Sequence, residues 1–239
     1  MQPNKILIWD FDGTLAERPG GWTGALLSVF KQHIPAPASG DAALAGQIRS
    51  CLQSGFPWFA PENPHPGLSA DEWWEELQPV FSRAFRAAGA SPADAWKMAG
   101  AVRPVYLDPS GWRRFDDALP ALSALTARGW THVLLANNVP ELPSLLPCLG
   151  FSGQFAAVFN SGETGYEKPN PKAFRAVIDW AGPAAEMVVI GDDYIADVTG
   201  AQEAGLKAVL VRNPHPNAGI FSQSLLELEN ILETGLKGS

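Results

Sequence analysis

Short apolar runs that end in polar residues are confined to two parts of this chain, and the gap between them limits the fold most. Ile6-Leu-Ile-Trp9 is one such run, and Asp10, Asp12, Gly13 and Thr14 follow it at once. The pattern stops there and resumes only after about residue 112. Runs at 132–136, 156–159, 187–190 and 207–211 then alternate with helical patterns. Runs so short and so apolar suit strands buried on both faces. Strands spaced by helices need crossover connections, so the five runs predict one parallel sheet in an α/β domain. Ligands of such sheets bind outside the carboxyl ends of the strands.

The gap itself reads as helices over residues 20–107. Trp22, Leu26, Val29 and Phe30 repeat at helical spacing, and so do Leu44, Ile48, Cys51 and Leu52. A Pro-rich aromatic loop spans Gly55 to Gly67. It ends at Ser69-Ala-Asp-Glu72, a capping box that opens a helix carrying Trp74, Leu77, Phe81 and Phe85. Ser91-Pro92 reads as an N-cap followed by Pro at the first helical position. The expected organisation is a sheet domain of residues 1–17 and 108–239, interrupted by a helical domain of residues 18–107. Beyond the gap, helices are expected over about 116–128, 140–149, 174–181, 196–204 and 222–234.

With 46% apolar and 18% charged residues, the 239-residue chain can bury a sizeable core. Its net charge of −8 argues against a protein that tracks nucleic-acid phosphates. A small phosphate ligand stays compatible, because a bound cation can dominate a local field. Cys51 and Cys148 stand in no metal-binding or redox spacing. No apolar run approaches 18 residues, and Met1 to Lys5 lacks a signal pattern. A cytoplasmic protein with no membrane partner is expected.

An Asp-Gly turn with a capping Asp is commoner than a catalytic pair of acids. The other strand ends change that weighing. Asn137 and Asn138 follow the second run, Lys168 follows the third, and Asp192, Asp193 and Asp197 follow the fourth. In a parallel sheet these ends share one edge. Five acids there repel one another unless a cation joins them, and hard oxygen ligands suit Mg²⁺. A single lysine among them fits an anionic substrate or intermediate.

These motifs together resemble the haloacid dehalogenase superfamily over nearly the whole chain. Asp10-Phe-Asp12-Gly-Thr14 matches the family's DxDGT, and Leu134-Leu-Ala136-Asn137 its second motif. Lys168-Pro matches the third, and Gly191-Asp192 through Asp197 the fourth. The resemblance implies a doubly wound parallel sheet with an inserted helical cap that excludes water and selects substrate. It implies that Asp10 attacks phosphorus to give an aspartyl-phosphate and that Asp12 serves as general acid and base. It implies Mg²⁺ held by Asp10, the Asp12 carbonyl and Asp192, with Asp193 or Asp197 tuning the site. Gly13 and Thr14 at the following turn, Ala136, Asn137, Asn138 and Lys168 would face the phosphate. Asp12 favours phosphate esters over carbon–halogen bonds, and Phe11 stands where transport ATPases carry Lys. The implied function is hydrolysis of a small phosphorylated metabolite.

One departure is Ala136, where the family has the Ser or Thr that bonds the phosphate. Losing a hydrogen bond to a charged group costs about 1.5–3 kcal/mol, roughly ten- to a hundredfold in rate. Asn137 or Asn138 is the candidate replacement. The alternatives to a phosphatase are a phosphate-ligand binder or regulator that has lost turnover, and a phosphomutase. In the helical part, Trp58, Phe59 and His65 are candidate specificity residues beside a packing role. Arg49, Arg103, Arg113 and Arg114 are candidates for a second anionic group beside an ordinary surface role, and His132 reads as structural.

Overall fold

Ile6, Leu7, Ile8 and Trp9 are wholly buried because their strand lies in the middle of the sheet. In the computed structural model, which describes residues 4–34, 40–182 and 185–234, six strands form it. They are β1 (Lys5–Trp9), β2 (Thr131–Ala136), β3 (Ala157–Asn160), β4 (Glu186–Gly191), β5 (Lys207–Val211) and β6 (Phe221–Ser222). Their order is β3-β2-β1-β4-β5-β6, and every pairing is parallel. The strand order reverses at β1. Chain connections diverge on either side of that point, and the crevice above it is where such sheets hold ligands.

The helices are α1 (Gly21–His33), α2 (Asp41–Cys51), α3 (Ala70–Ala87), α4 (Pro92–Gly100), α5 (Val102–Leu107), α6 (Ala118–Ala127), α7 (Leu142–Cys148), α8 (Ser161–Thr164), α9 (Pro171–Ala181), α10 (Gly200–Glu203) and α11 (Leu228–Thr234). Strand alternation sends Ile6, Ile8, Val133, Leu135 and Val189 to one face, where they meet Phe174 and Val177 of α9. Burying each such side chain contributes about 1.5–3 kcal/mol. No helix among the described residues is long and apolar enough to cross a membrane.

The chain divides into two compact units. One holds the residues up to Glu17, Pro61–Gly67 and those from Arg114 on. The other holds Arg18–Ala60 and Leu68–Arg113. The expected return to the sheet at residue 108 thus differs from the observed one at Arg114, and Pro61–Gly67 groups with the sheet. Within the helical unit, the Ser69–Glu72 capping box is present, and Ser91 Oγ accepts from Asp94 N–H. Trp22 stacks on Tyr106 at 3.8 Å, and Phe56 stacks on Trp58 at 4.5 Å. Most of the loop's aromatic surface is therefore spent on packing, although Phe59 stays half-exposed.

Two expected helices differ. The one expected from Asp116 begins at Ala118, because Asp117 turns its carboxylate to Arg212, Ser224 and the Leu225 N–H. The one expected from Ser222 begins at Leu228. Ser222 pairs in the sheet instead, and Ser224 caps a short 3₁₀ turn, Leu225–Glu227. The short strand β6 had no sequence pattern to announce it.

His132 is buried within the sheet unit. Its Nδ1 accepts from Trp9 Nε1 at 2.9 Å, and Nε2 lies 3.0 Å from the Leu122 carbonyl. That set suits the neutral ring, with its proton on Nε2. A second proton would set one donor against another. Burial lowers the pKa to about 4, against the opposing pull of the Leu122 carbonyl. Below pH 6.5 the unfolded chain takes up a proton that the folded protein refuses until about pH 4. This site therefore costs stability as pH falls through that window, by about 2–3 kcal/mol. Denaturant unfolding at pH 7 and pH 4.5 should show a smaller loss in His132→Gln; equal losses would refute this account.

Candidate active site

Trp9 stands in register with Leu134 of β2 and Ile190 of β4. The residues that follow the three strands consequently emerge at one edge. Asp10 N–H donates to the Ile190 carbonyl at 2.9 Å, which extends the ladder by one residue and fixes the Asp10 carboxylate there. Gly13 then turns the chain with φ +91°. Only Gly is suited to this position: an added methyl would also stand 2.4 Å from Asp192 Oδ2.

Lys168 is the hub. Its ammonium donates to Asp10 Oδ1 at 2.7 Å and to Asp197 Oδ1 at 2.5 Å. All three side chains are buried. Burial works against the lysine's charge, but Asp10 and Asp197 outweigh it and hold its pKa above the ordinary lysine value. Asp197 sits on a π-helical turn, Tyr194–Thr199. Such turns recur at functional sites. Its Oδ2 accepts from Asp193 N–H at 3.0 Å, so both oxygens are fixed.

Among the described residues, no cationic side chain forms an ion pair with Asp192. It accepts from Thr14 Oγ1 at 3.1 Å. Burial, together with the charges of Asp10 and Asp197, holds its pKa above the carboxylate range. Asp197 is pushed the same way, by burial first and then Asp10, while Lys168 pulls it back. Asp12 reaches solvent, yet protein surrounds most of its carboxyl group. That desolvation, and then Asp10 and Glu17, push it up to about 7.

One ammonium thus faces the carboxyl groups of Asp10, Asp192 and Asp197. Carboxylate oxygens of these three lie within 4.8 Å of one another. All are hard donors, and their mutual repulsion is what a divalent cation would relieve. The donor set therefore fits Mg²⁺.

Several sequence candidates hold other posts. Asp193 stays outside this cluster; its Oδ1 accepts from Ile195 and Ala196 N–H, as a helix cap. The Thr14 hydroxyl is given to Asp192. Ala136 is buried and offers no polar side-chain atom. Asn137 is engaged with the protein's own backbone: its Nδ2 donates to the Lys168 carbonyl at 2.8 Å and its Oδ1 accepts from the Lys168 N–H at 2.7 Å. Asn138 is buried, with its Oδ1 accepting from Val139 N–H. These bonds shape the Lys168 loop. In the sheet unit's loop, His65 Nε2 lies 3.2 Å from Glu167 Oε1, one residue from Lys168.

Arg212 is a residue the motifs did not expose. Its Nε donates to the Thr14 carbonyl at 2.9 Å and its Nη2 to Asp117 at 2.6 Å, with the guanidinium 3.8 Å from the Phe115 ring centre. It braces the turn after Asp12. Its place one residue past the end of β5 was the available signal, since the other site residues also follow strands.

Comparison with known proteins agrees with this geometry. The family model for haloacid dehalogenase-like hydrolases matches residues 4–205. Haloacid dehalogenase-like hydrolase domain-containing protein 3 of Mus musculus is 28% identical over 216 residues, covering 89% of this chain and 83% of that protein. A phosphoserine phosphatase of Thermus thermophilus is 34% identical over 150 residues, covering 61% of this chain and 59% of its own. Among solved structures, the magnesium-bound HAD-hydrolase YfnB of Bacillus subtilis superposes with a TM-score of 0.76 at 22% identity, covering 97% of this chain and 100% of that one. The chain belongs to the haloacid dehalogenase-like hydrolases, and its relatives group it with the phosphoric monoester hydrolases of that family.

At a pH above about 8, where Asp192 is ionised, Asp192→Asn removes one of the repelling charges. Without metal it should melt higher than the wild type, by about 2–4 °C for each kcal/mol relieved. Millimolar Mg²⁺ should raise the wild-type melting temperature, and that rise should shrink sharply in the variant. An identical Mg²⁺ response in both would exclude Asp192 as a ligand.

Proposed function

We propose that this enzyme is a Mg²⁺-dependent phosphatase acting on a small phosphorylated metabolite, with Asp10 as the nucleophile. The observation that carries the reading is the Lys168 ammonium bound at once to Asp10 and Asp197. It fixes the Asp10 carboxylate and aims it from the sheet edge, as a nucleophile must be aimed. Asp10 attacks phosphorus and takes the phosphoryl group as an aspartyl-phosphate, while the ester oxygen leaves with a proton from Asp12. A carboxyl with its pKa near 7 is suited to give that proton near neutral pH. Asp12 then draws a proton from the water that cleaves the aspartyl-phosphate, which returns both acids to their starting state.

Asp10, Asp192 and Asp197 would hold Mg²⁺ in this reading, with the Asp12 carbonyl as a further donor. The ion supplies positive charge against the phosphate dianion when bound. Lys168 adds a second positive group. The helical unit is assigned the role of a substrate-selecting cap, and the cytoplasm is the proposed setting, consistent with two free cysteines. Phosphoserine, the substrate in one relative's name, is the kind of small ester intended.

A binder without turnover is the second reading, favoured by Ala136 and by the engagement of both neighbouring asparagines. Steady-state assays with Mg²⁺ and a panel of small phosphomonoesters separate the two. The wild type should turn over at least one ester, and Asp10→Asn should lose about 10³-fold or more, as expected when a nucleophile is removed. Tight ligand binding with no turnover on any ester would favour the binder, and dependence on a bisphosphate activator would favour the mutase.

Ala136→Ser restores a donor at the phosphate side of β2. It should raise kcat/KM about tenfold. A fall would mean that the surrounding residues have adjusted to a methyl group.

A further inference from the structure

Asp12 reaches solvent at the tip of its turn, whereas Phe11, Thr14 and Leu15 around it are wholly buried. The next link in the chain is Gly13, at φ +91°, the residue type least able to hold one conformation. A group that hands over a proton needs closer placement than such a tip supplies by itself. Two carbonyls on the far leg of the turn are held from outside it. The Phe115 N–H donates to the Leu15 carbonyl at 3.1 Å, and Arg212 Nε donates to the Thr14 carbonyl at 2.9 Å. The two donors support each other, since the guanidinium lies 3.8 Å from the Phe115 ring centre. Asp117 accepts from Arg212 Nη2 at 2.6 Å and fixes the other end of the fork. All these residues belong to the sheet unit.

The backbone of Arg212 points to a task for its side chain. Its φ is +61°, the one positive value at a non-glycine residue among those described. The Asn213 N–H donates to the Val211 carbonyl at 2.5 Å, so Arg212 is the centre of a γ-turn of the strained kind. The Arg212 N–H donates to the Ser222 carbonyl at 2.9 Å, and its carbonyl accepts from Gln223 Nε2 at 3.3 Å. Such a conformation persists only where the surroundings impose it. Glycine would adopt it without strain, and the turn alone asks for nothing more. What glycine would lack is the guanidinium on the Thr14 carbonyl.

We propose that Arg212 is a positioning residue for one chemical step, the departure of the leaving group. By holding the Thr14 carbonyl it places Asp12 to protonate the ester oxygen. In that step an Asp10 oxygen bonds to phosphorus, the ester P–O bond breaks, and the proton of Asp12 goes to the departing oxygen. A strongly basic alkoxide needs that proton, whereas an acidic phenol leaves without it. The proposal rests on the phosphatase reading above and adds to it a residue from outside the four motifs.

The test uses the full chain with Mg²⁺ and two esters of similar size, benzyl phosphate and 4-nitrophenyl phosphate. The readout is the ratio of kcat/KM for the benzyl ester to that for the nitrophenyl ester. Arg212→Gly removes the guanidinium and leaves the turn unstrained. It should lower the ratio about 10–100-fold. Arg212→Lys keeps the charge but has no fork to span the Thr14 carbonyl and Asp117 together, and should lower the ratio by less. An unchanged ratio in folded Arg212→Gly overturns the proposal. So does an equal loss on both esters, which marks a general loosening of the edge or an effect passed through Thr14 to Asp192. If Arg212→Gly does not fold, an unchanged ratio in Arg212→Lys overturns it. Wild-type turnover of 4-nitrophenyl phosphate keeps the phosphatase reading standing whatever the ratio does. Turnover of that ester alone overturns the proposal, because no acid step would remain for Arg212 to serve, and turnover of neither overturns both.

Discussion

The bond from one lysine to two aspartates is what the site depends on. Lys168 comes from the loop after β3, Asp10 from the end of β1 and Asp197 from the π-helical turn after β4. Their ion pairs are buried, so each charge would be costly without the others. The same constraint explains the lesser residues. Asn137 grips the Lys168 backbone on both sides, and Gly13 leaves room for Asp192 to approach. A buried ion cluster adds little to net stability; its value here is that it fixes where the reacting oxygen points.

Arg212 extends the constraint outward. It links the Thr14 carbonyl to Asp117, which in turn accepts from Ser224 and the Leu225 N–H. The turn after Asp12 is thereby joined to the far side of the sheet. This bracing fixes a Gly-containing turn that would otherwise sample several conformations. It also accounts for α6 beginning two residues later than its sequence pattern: the Asp117 carboxylate serves Arg212 and caps no N–H of the helix.

Much of the sheet and most of the site could be read from residue order. Buried parallel strands need near-continuous apolar runs, so Ile6–Trp9 and its counterparts stand out, and parallel pairing brings their ends together. Lys168 and the acids were legible for that reason. The roles of Thr14, Asn137 and Asn138 were not, because a hydroxyl or amide can bond a ligand or the protein's own backbone, and only the fold decides which. Two-residue β6 carries too little pattern to be seen. Arg212 looks like an ordinary surface arginine until the packing around it is known.

The central place of β1 has a consequence for how the protein is made. During synthesis β1 emerges first, yet its two sheet neighbours, residues 131–136 and 186–191, follow only after the whole helical insertion. This wholly buried strand must therefore wait on the ribosome without a partner while a separate unit is already able to collapse. Asp10 meets Lys168 only after β2 and β3 exist, and Asp192 and Asp197 come later still. The catalytic edge is thus among the last parts of the molecule to assemble, although its nucleophile is among the first residues translated.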